Sequence, residues 1–231
     1  MNFDIDTILF TLSVWVIPVL LAITFHEAAH GWVAHRRGDD TAFRLGRVTF
    51  NPLRHIDPFG TVLLPALLFI GSGGRMLFGF AKPVPVNFAN LHQPRRDMVL
   101  VAAAGPGINI VMAIVAAAAI HLVPLLSGDL AEWVAYNLRN AVWINVLLAV
   151  FNMLPVPPLD GGRVAVGLLP PALAVRWAAL ERYGIFIVLG GIFLVPWLGA
   201  QVGLRLDVFG WLVLLPASLL AQGIFTLVNI A

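Results

Sequence analysis

The chain has 231 residues, 60% hydrophobic and only 11% charged, with a formal net charge of +2; a soluble domain is nearer half apolar and a quarter charged, so the bilayer is the expected solvent. The small net charge, without a basic helix or interleaved aromatic and basic residues, excludes a nucleic-acid-binding surface. Cysteine is absent, which excludes a disulfide framework, a thiolate nucleophile and a cysteine-ligated metal, so any metal must bind through His, Asp or Glu.

Apolar runs cover residues 8–25, 98–123, 141–154, 185–198 and 208–230, and several approach the ~20 residues that cross ~30 Å of hydrocarbon as a helix. The first has Asp4 and Asp6 before it instead of a basic leader, and His26 and Glu27 where a cleavage site would stand. It reads as a retained helix rather than a signal peptide. Of the fourteen Lys and Arg, five fall in residues 36–54, four in 75–96 and three in 163–182. The positive-inside rule makes those segments cytoplasmic. The stretch from about residue 60 to 80 then starts and ends on one side, and is expected to be re-entrant or interfacial. Lys82-Pro83-Val84-Pro85-Val86-Asn87-Phe88 alternates like an extended strand, with prolines that restrict two-sided pairing. The expected fold is an all-α polytopic membrane protein of five to six transmembrane helices, with a short re-entrant or interfacial element and a small β-hairpin. It forms a single domain over residues 1–231, with the N-terminus outside and the C-terminus inside when the crossings are five.

The first span ends in His26-Glu27-Ala28-Ala29-His30. Histidines at i and i+4 share one helix face and can bind one zinc ion, and the glutamate between them can take a proton from zinc-activated water. Counting back from Arg36 puts His30 about 9 Å and His26 about 15 Å along the helix toward the membrane interior. A charge at that depth is costly, so Glu27 calls for a compensating cation or a proton, and zinc would supply the cation. Catalytic zinc usually has three protein ligands, so a third is needed. Asp39 and Asp40 follow Gly38 as an ordinary solvated turn, and Asp97 beside Arg95 and Arg96 reads as a helix-start charge. His55 with Asp57 is one candidate source, and Asp160 is another. Asp160 closes the helix-breaking run Pro155-Val156-Pro157-Pro158-Leu159-Asp160-Gly161-Gly162; irregular backbone at membrane depth survives only where protein buries it or it lines a polar cavity.

These motifs, with Gly105-Pro106-Gly107-Ile108-Asn109 in a middle span, Asn152, Gly46 through Pro52 and His55 through Thr61, resemble the site-2 proteases. Those are membrane-embedded zinc enzymes that cleave transmembrane segments of other proteins. The resemblance covers about residues 20–185 and is to the compact branch, without PDZ or CBS domains. It implies one zinc per chain held by His26, His30 and Asp160, with Glu27 as general base. It further implies that Asn109 and Asn152 support the active site or engage the substrate backbone, although Asn109 also reads as an interhelical hydrogen bond beside glycines that allow close packing. By the same resemblance, the catalytic core is about 8–165, the spans at about 183–230 are accessory, and the region 79–88 either pairs with unwound substrate or forms an inert interfacial hairpin. The implied partners are transmembrane segments of substrate proteins and the lipid bilayer, with the active site toward the cytoplasmic side. Two other readings remain at this stage: a transporter of metal ions or protons, which predicts polar relays across the bilayer, and a catalytically silent membrane binding module.

Overall fold

The computed structural model describes residues 5–71, 79 and 81–230. Five helical segments are long and apolar enough to cross a bilayer: Ile5–Arg36, Pro94–Leu125, Gly128–Asn152, Pro171–Gln201 and Gly210–Leu227. No sixth is found among the described residues. Helices are the solution that satisfies every backbone group without water.

Helix α1 (Ile5–Arg36) has 32 residues, a rise of about 48 Å, longer than the hydrocarbon is thick. A single turn, α2 (Thr41–Arg44), follows it. The chain then makes a wide π-type turn over Pro58–Leu63, with Asp57 accepting from the Phe59 and Gly60 amides, and runs into α3 (Leu64–Gly71). Eight residues rise only about 12 Å, too little to cross; the rest of the expected re-entrant stretch, 72–78 and 80, lies outside the described residues. The His92 amide donates to the Arg37 carbonyl at 2.8 Å, so the chain leaves α1 and enters the next helix on the same face of the molecule. That helix, α4 (Pro94–Ala119), starts with proline at its first position, where the missing N–H is harmless. Asp97, buried, accepts from the Gln93 amide at 2.8 Å, the helix-start role its position suggested.

Helix α5 (Gly128–Asn152) begins well before the apolar run that marks it in the sequence. Its first half is polar because those side chains join helices: Trp133 Nε1 donates to Ser13 Oγ at 2.9 Å and Asn140 Nδ2 to the Val14 carbonyl at 2.9 Å. Polar residues commonly tie transmembrane helices in this way. After an irregular segment come α6 (Asp160–Leu168), α7 (Pro171–Ala178), α8 (Gly184–Leu189), α9 (Val195–Gln201) and α10 (Leu215–Leu227). Segments α7 to α9 join through short irregular turns into one long helical span. Arg95 donates to the carbonyls of Gly167, at 3.2 Å, and Leu169. The end of α6 therefore meets the start of α4 on the face where α1 ends, called here the basic face.

Helices α1, α4 and α5 pack on one another, α6 lies on α4, and α10 lies on α4 and α5. Away from the basic face the core consists of Ala113, Ala116 and Ala117 of α4, Val142 and Val146 of α5, and Ala217, Ala221 and Ile224 of α10. Small residues let helix backbones approach, and packing supplies the attraction that lipid does not.

The small β-hairpin is not formed: there is no strand among the described residues, and 81–87 runs as irregular chain. Three of its backbone donors are committed elsewhere. The Lys82 amide donates to the His55 carbonyl at 3.0 Å, the Val84 amide to Glu27 Oε2 at 2.6 Å and the Asn87 amide to Asp39 Oδ2 at 2.8 Å, while Pro83 and Pro85 have no N–H. Arg47 also takes the Lys82 carbonyl at 2.7 Å. The segment is a strap tied across α1 and not an edge strand.

Candidate metal centre

Histidines 26 and 30 project from one face of α1, as their spacing requires, and meet Asp160, the first residue of α6. His26 Nε2 lies 3.0 Å from His30 Nε2 and 3.1 Å from Asp160 Oδ2, and His30 Nε2 lies 3.2 Å from the same oxygen. The residues are 7%, 8% and 7% exposed respectively, so these atoms face one another out of solvent. Among the described residues this is the one group of three or more such side chains with converging ligand atoms.

The other nitrogen of each ring is spoken for. His26 Nδ1 donates to Asn109 Oδ1 at 2.6 Å, and His30 Nδ1 to the Val101 carbonyl of α4 at 2.7 Å. With Nδ1 carrying the proton, each Nε2 presents a lone pair inward. Two lone pairs and a carboxylate oxygen in one buried triangle call for a cation. Tetrahedral zinc with ligands at ~2.0–2.1 Å spaces them about 3.3 Å apart, close to the separations seen. Two nitrogens and one oxygen, with outer hydrogen bonds fixing the ring tautomers, fit a catalytic zinc site with one position left open.

The glycines explain how these side chains come so close. A Cβ added at Gly105 of α4 would collide with the Nε2 atoms of both His26 and His30, whereas one at Gly107 would meet nothing. Of that Gly-Pro-Gly motif, only Gly105 makes room for the two histidines. Added Cβ atoms at Gly161 and Gly162 would strike the backbone of Met153, Leu154 and Pro157. The start of α6 is thus pressed onto the irregular segment that delivers Asp160.

Glu27 lies beside this group, half-buried, with Oε2 held by the Val84 amide of the strap. One turn on, Gly31 leaves room for Val48 and Val84, whose side chains would lie 2.9 Å and 3.1 Å from an added Cβ. Glu27 and Gly31 share a stripe of α1, and the strap lies along it.

The remaining candidates are placed as follows. Asn109 is fully buried between His26, the Ala22 carbonyl and Asn145. Asn152 is half-buried at the end of α5, its amide donating to the Leu148 carbonyl of its own helix at 3.0 Å. His55 and Asp57 are not brought to the centre: His55 Nε2 bonds the Thr49 carbonyl at 2.9 Å, and Asp57 caps the turn that follows it. Asp39, expected in a solvated turn, is instead wholly enclosed, at 0% exposed. Its carboxylate accepts from Thr41 Oγ1, Asn90 Nδ2 and the Asn87 and Thr41 amides. Burial alone would raise its pKa, but these donors hold it below the ordinary value. Asn145 was missed, although an asparagine inside the apolar run 141–154 was the signal for it.

Comparison with known proteins adds the following. A family model described as "Peptidase family M50" matches residues 120–194, a stretch that includes Asp160 but not the histidine motif. "Putative zinc metalloprotease YwhC" of Bacillus subtilis is 39% identical over 191 residues, covering 81% of this chain and 82% of that protein. "Putative zinc metalloprotease Rip2" of Mycobacterium tuberculosis is 31% identical over 177 residues, covering 77% of this chain and 65% of that one. No solved structure matches.

Proposed function

The chain belongs to peptidase family M50, the site-2 proteases, and from that membership we propose that it hydrolyses peptide bonds in or near the transmembrane segments of other membrane proteins, with Glu27 as general base. Membership makes it a membrane zinc metalloprotease with membrane-protein substrates. The five apolar spans make it an integral multi-pass protein. The observation that carries the finer reading is the convergence of His26 Nε2, His30 Nε2 and Asp160 Oδ2 within 3.2 Å, with a carboxylate on the next residue of the same helix.

In this reading one zinc per chain is held by His26, His30 and Asp160. When bound, the zinc supplies Lewis acidity, lowering the pKa of a coordinated water toward ~7 and polarising a carbonyl. The protein does the rest. Asn109 and the Val101 carbonyl hold the imidazoles in the tautomer that offers Nε2 inward. Val84 holds one oxygen of Glu27, leaving the other to take a proton from the attacking water and pass it to the departing nitrogen. Asn152, the last residue of α5, is assigned to the substrate backbone. A helical substrate hides its carbonyls, so it must unwind locally, and Gly or Pro within it favours this.

The basic face is assigned to the cytoplasm on its Lys and Arg content, with polar entry past the irregular segment before Asp160. The catalytic core is residues 8–165, and the spans from about 183 to 230 are accessory; α10 contributes alanine packing but no ligand. The chain's lack of cysteine makes topology directly testable. Single cysteines placed near Arg36 and Asp129 should label from opposite sides, and same-side labelling contradicts five crossings.

The activity test is cleavage of a reporter transmembrane substrate by the purified, zinc-loaded chain. Glu27→Gln should keep its zinc and lose cleavage; full cleavage by that variant refutes the mechanism.

A further inference from the structure

Asn145 of α5 touches no metal ligand. Its side chain is 1% exposed in the middle of a transmembrane helix, where an amide is costly unless each of its groups is satisfied. Its Nδ2 donates to the Ala141 carbonyl at 2.8 Å. A backbone carbonyl can only accept, so the amide cannot be turned round, and Asn145 Oδ1 must face α4. There it accepts from Asn109 Nδ2 at 2.7 Å. Asn109 Nδ2 also donates, over a longer 3.2 Å, to the Ala22 carbonyl of α1. Asn109 Oδ1 is therefore left facing His26 Nδ1 at 2.6 Å, and that nitrogen must carry the ring's proton. The lone pair falls on Nε2, the atom 3.1 Å from Asp160.

From this chain of forced orientations we propose that Asn145 is a positioning residue that acts through Asn109 to set the His26 tautomer for metal binding. The inference rests on the zinc centre proposed above. Its directional content is specific. If Asn109 turned its NH2 toward His26, Nδ1 would have to accept, the proton would move to Nε2, and the ligand atom would be blocked. The Asn145 oxygen opposes that turn, since a reversed Asn109 would set two amide oxygens against each other in a dry interior.

The relay separates from plain packing by the sign of two substitutions. Asn145→Leu keeps the volume but removes the acceptor. Asn145→Asp keeps the acceptor but places a carboxyl in the bundle. A packing role makes leucine mild and aspartate severe; the relay predicts the reverse order for zinc. Zinc affinity should be measured by chelator competition on the full chain in detergent. Loss of an outer partner of a ligating histidine typically weakens metal binding 10–100-fold; Asn145→Leu removes that partner only indirectly, by freeing Asn109 to turn, so zinc should weaken by about tenfold, the low end of that range, and by no more than about threefold in Asn145→Asp. Asn140→Leu, which removes a comparable α5-to-α1 hydrogen bond away from the centre, should leave zinc affinity unchanged. Zinc bound by Asn145→Leu as tightly as by wild type overturns the relay, as does an Asn145→Asp weaker than Asn145→Leu or an equal loss in Asn140→Leu. Absence of zinc from the wild-type protein overturns the metal centre and the relay together.

Discussion

Helix α4 buries two unlike surfaces within one membrane span. Around Val101, Gly105 and Asn109 it meets histidines, an asparagine and, through them, an aspartate. One turn later, at Ala113, Ala116 and Ala117, it meets a core of alanine, valine and isoleucine with larger apolar side chains such as Trp143 and Phe225 packed around it. The alanine end is held by close packing, and each contact there is small and replaceable. At the polar end each hydrogen bond dictates the orientation of the next group, so one wrong atom propagates to the ligand set. The contrast shows how a bilayer tolerates a polar centre: every member must be satisfied, and directionality substitutes for solvent.

Two glycines of one motif separate these surfaces by the largest effect. Gly105→Ala puts a methyl against both Nε2 atoms and should abolish zinc binding and cleavage, by more than about 100-fold on the outer-partner scale. Gly107→Ala meets open space and should match wild type in zinc content. Equal behaviour of the two would dissolve the distinction between ligand room and helix packing. Next in size is Val84→Pro, which removes the donor to Glu27 Oε2. A hydrogen bond to a charged group is worth about 1.5–3 kcal/mol, so kcat should fall roughly 10- to 100-fold with zinc retained; loss of zinc instead would mean that the strap supports the ligands and not the base. At the alanine end, Ala117→Leu overpacks a fully buried site and should cost about 1–3 kcal/mol, read as a lower Tm with zinc affinity intact.

The smallest effect lies off the spans, at Asp39. Its folded pKa lies below the ordinary value of 3.8, so the stability it contributes is complete above that value and drains away as pH falls through the lower folded value. The Tm difference between wild type and Asp39→Asn should be constant near neutrality and shrink below about pH 4. A difference that grows on acidification would show that the carboxylate is not what pins the strap.

How much of this was legible in the sequence follows the range of the interactions involved. His26, Glu27 and His30 lie within one helical turn and a half, so their shared face follows from periodicity alone. Asp160 was suggested by the proline and glycine around it. The polar half of α5 was invisible to a hydropathy reading, because Trp133 and Asn140 spend their polarity on α1. The strap read as a strand because alternation says nothing about which acceptors take its amides; Glu27 and Asp39 claim them from 57 and 48 residues away. Asn145 stood in plain view within an apolar run, but its partner, 36 positions earlier, did not.

Zinc stoichiometry in wild type and Asp160→Ala decides whether the polar end of the bundle is a three-ligand zinc peptidase centre. Wild type should carry one zinc per chain and Asp160→Ala less than about a tenth of that, given the 10–100-fold cost of even an outer partner, with reporter cleavage lost in parallel. Full zinc occupancy in Asp160→Ala would contradict such a centre.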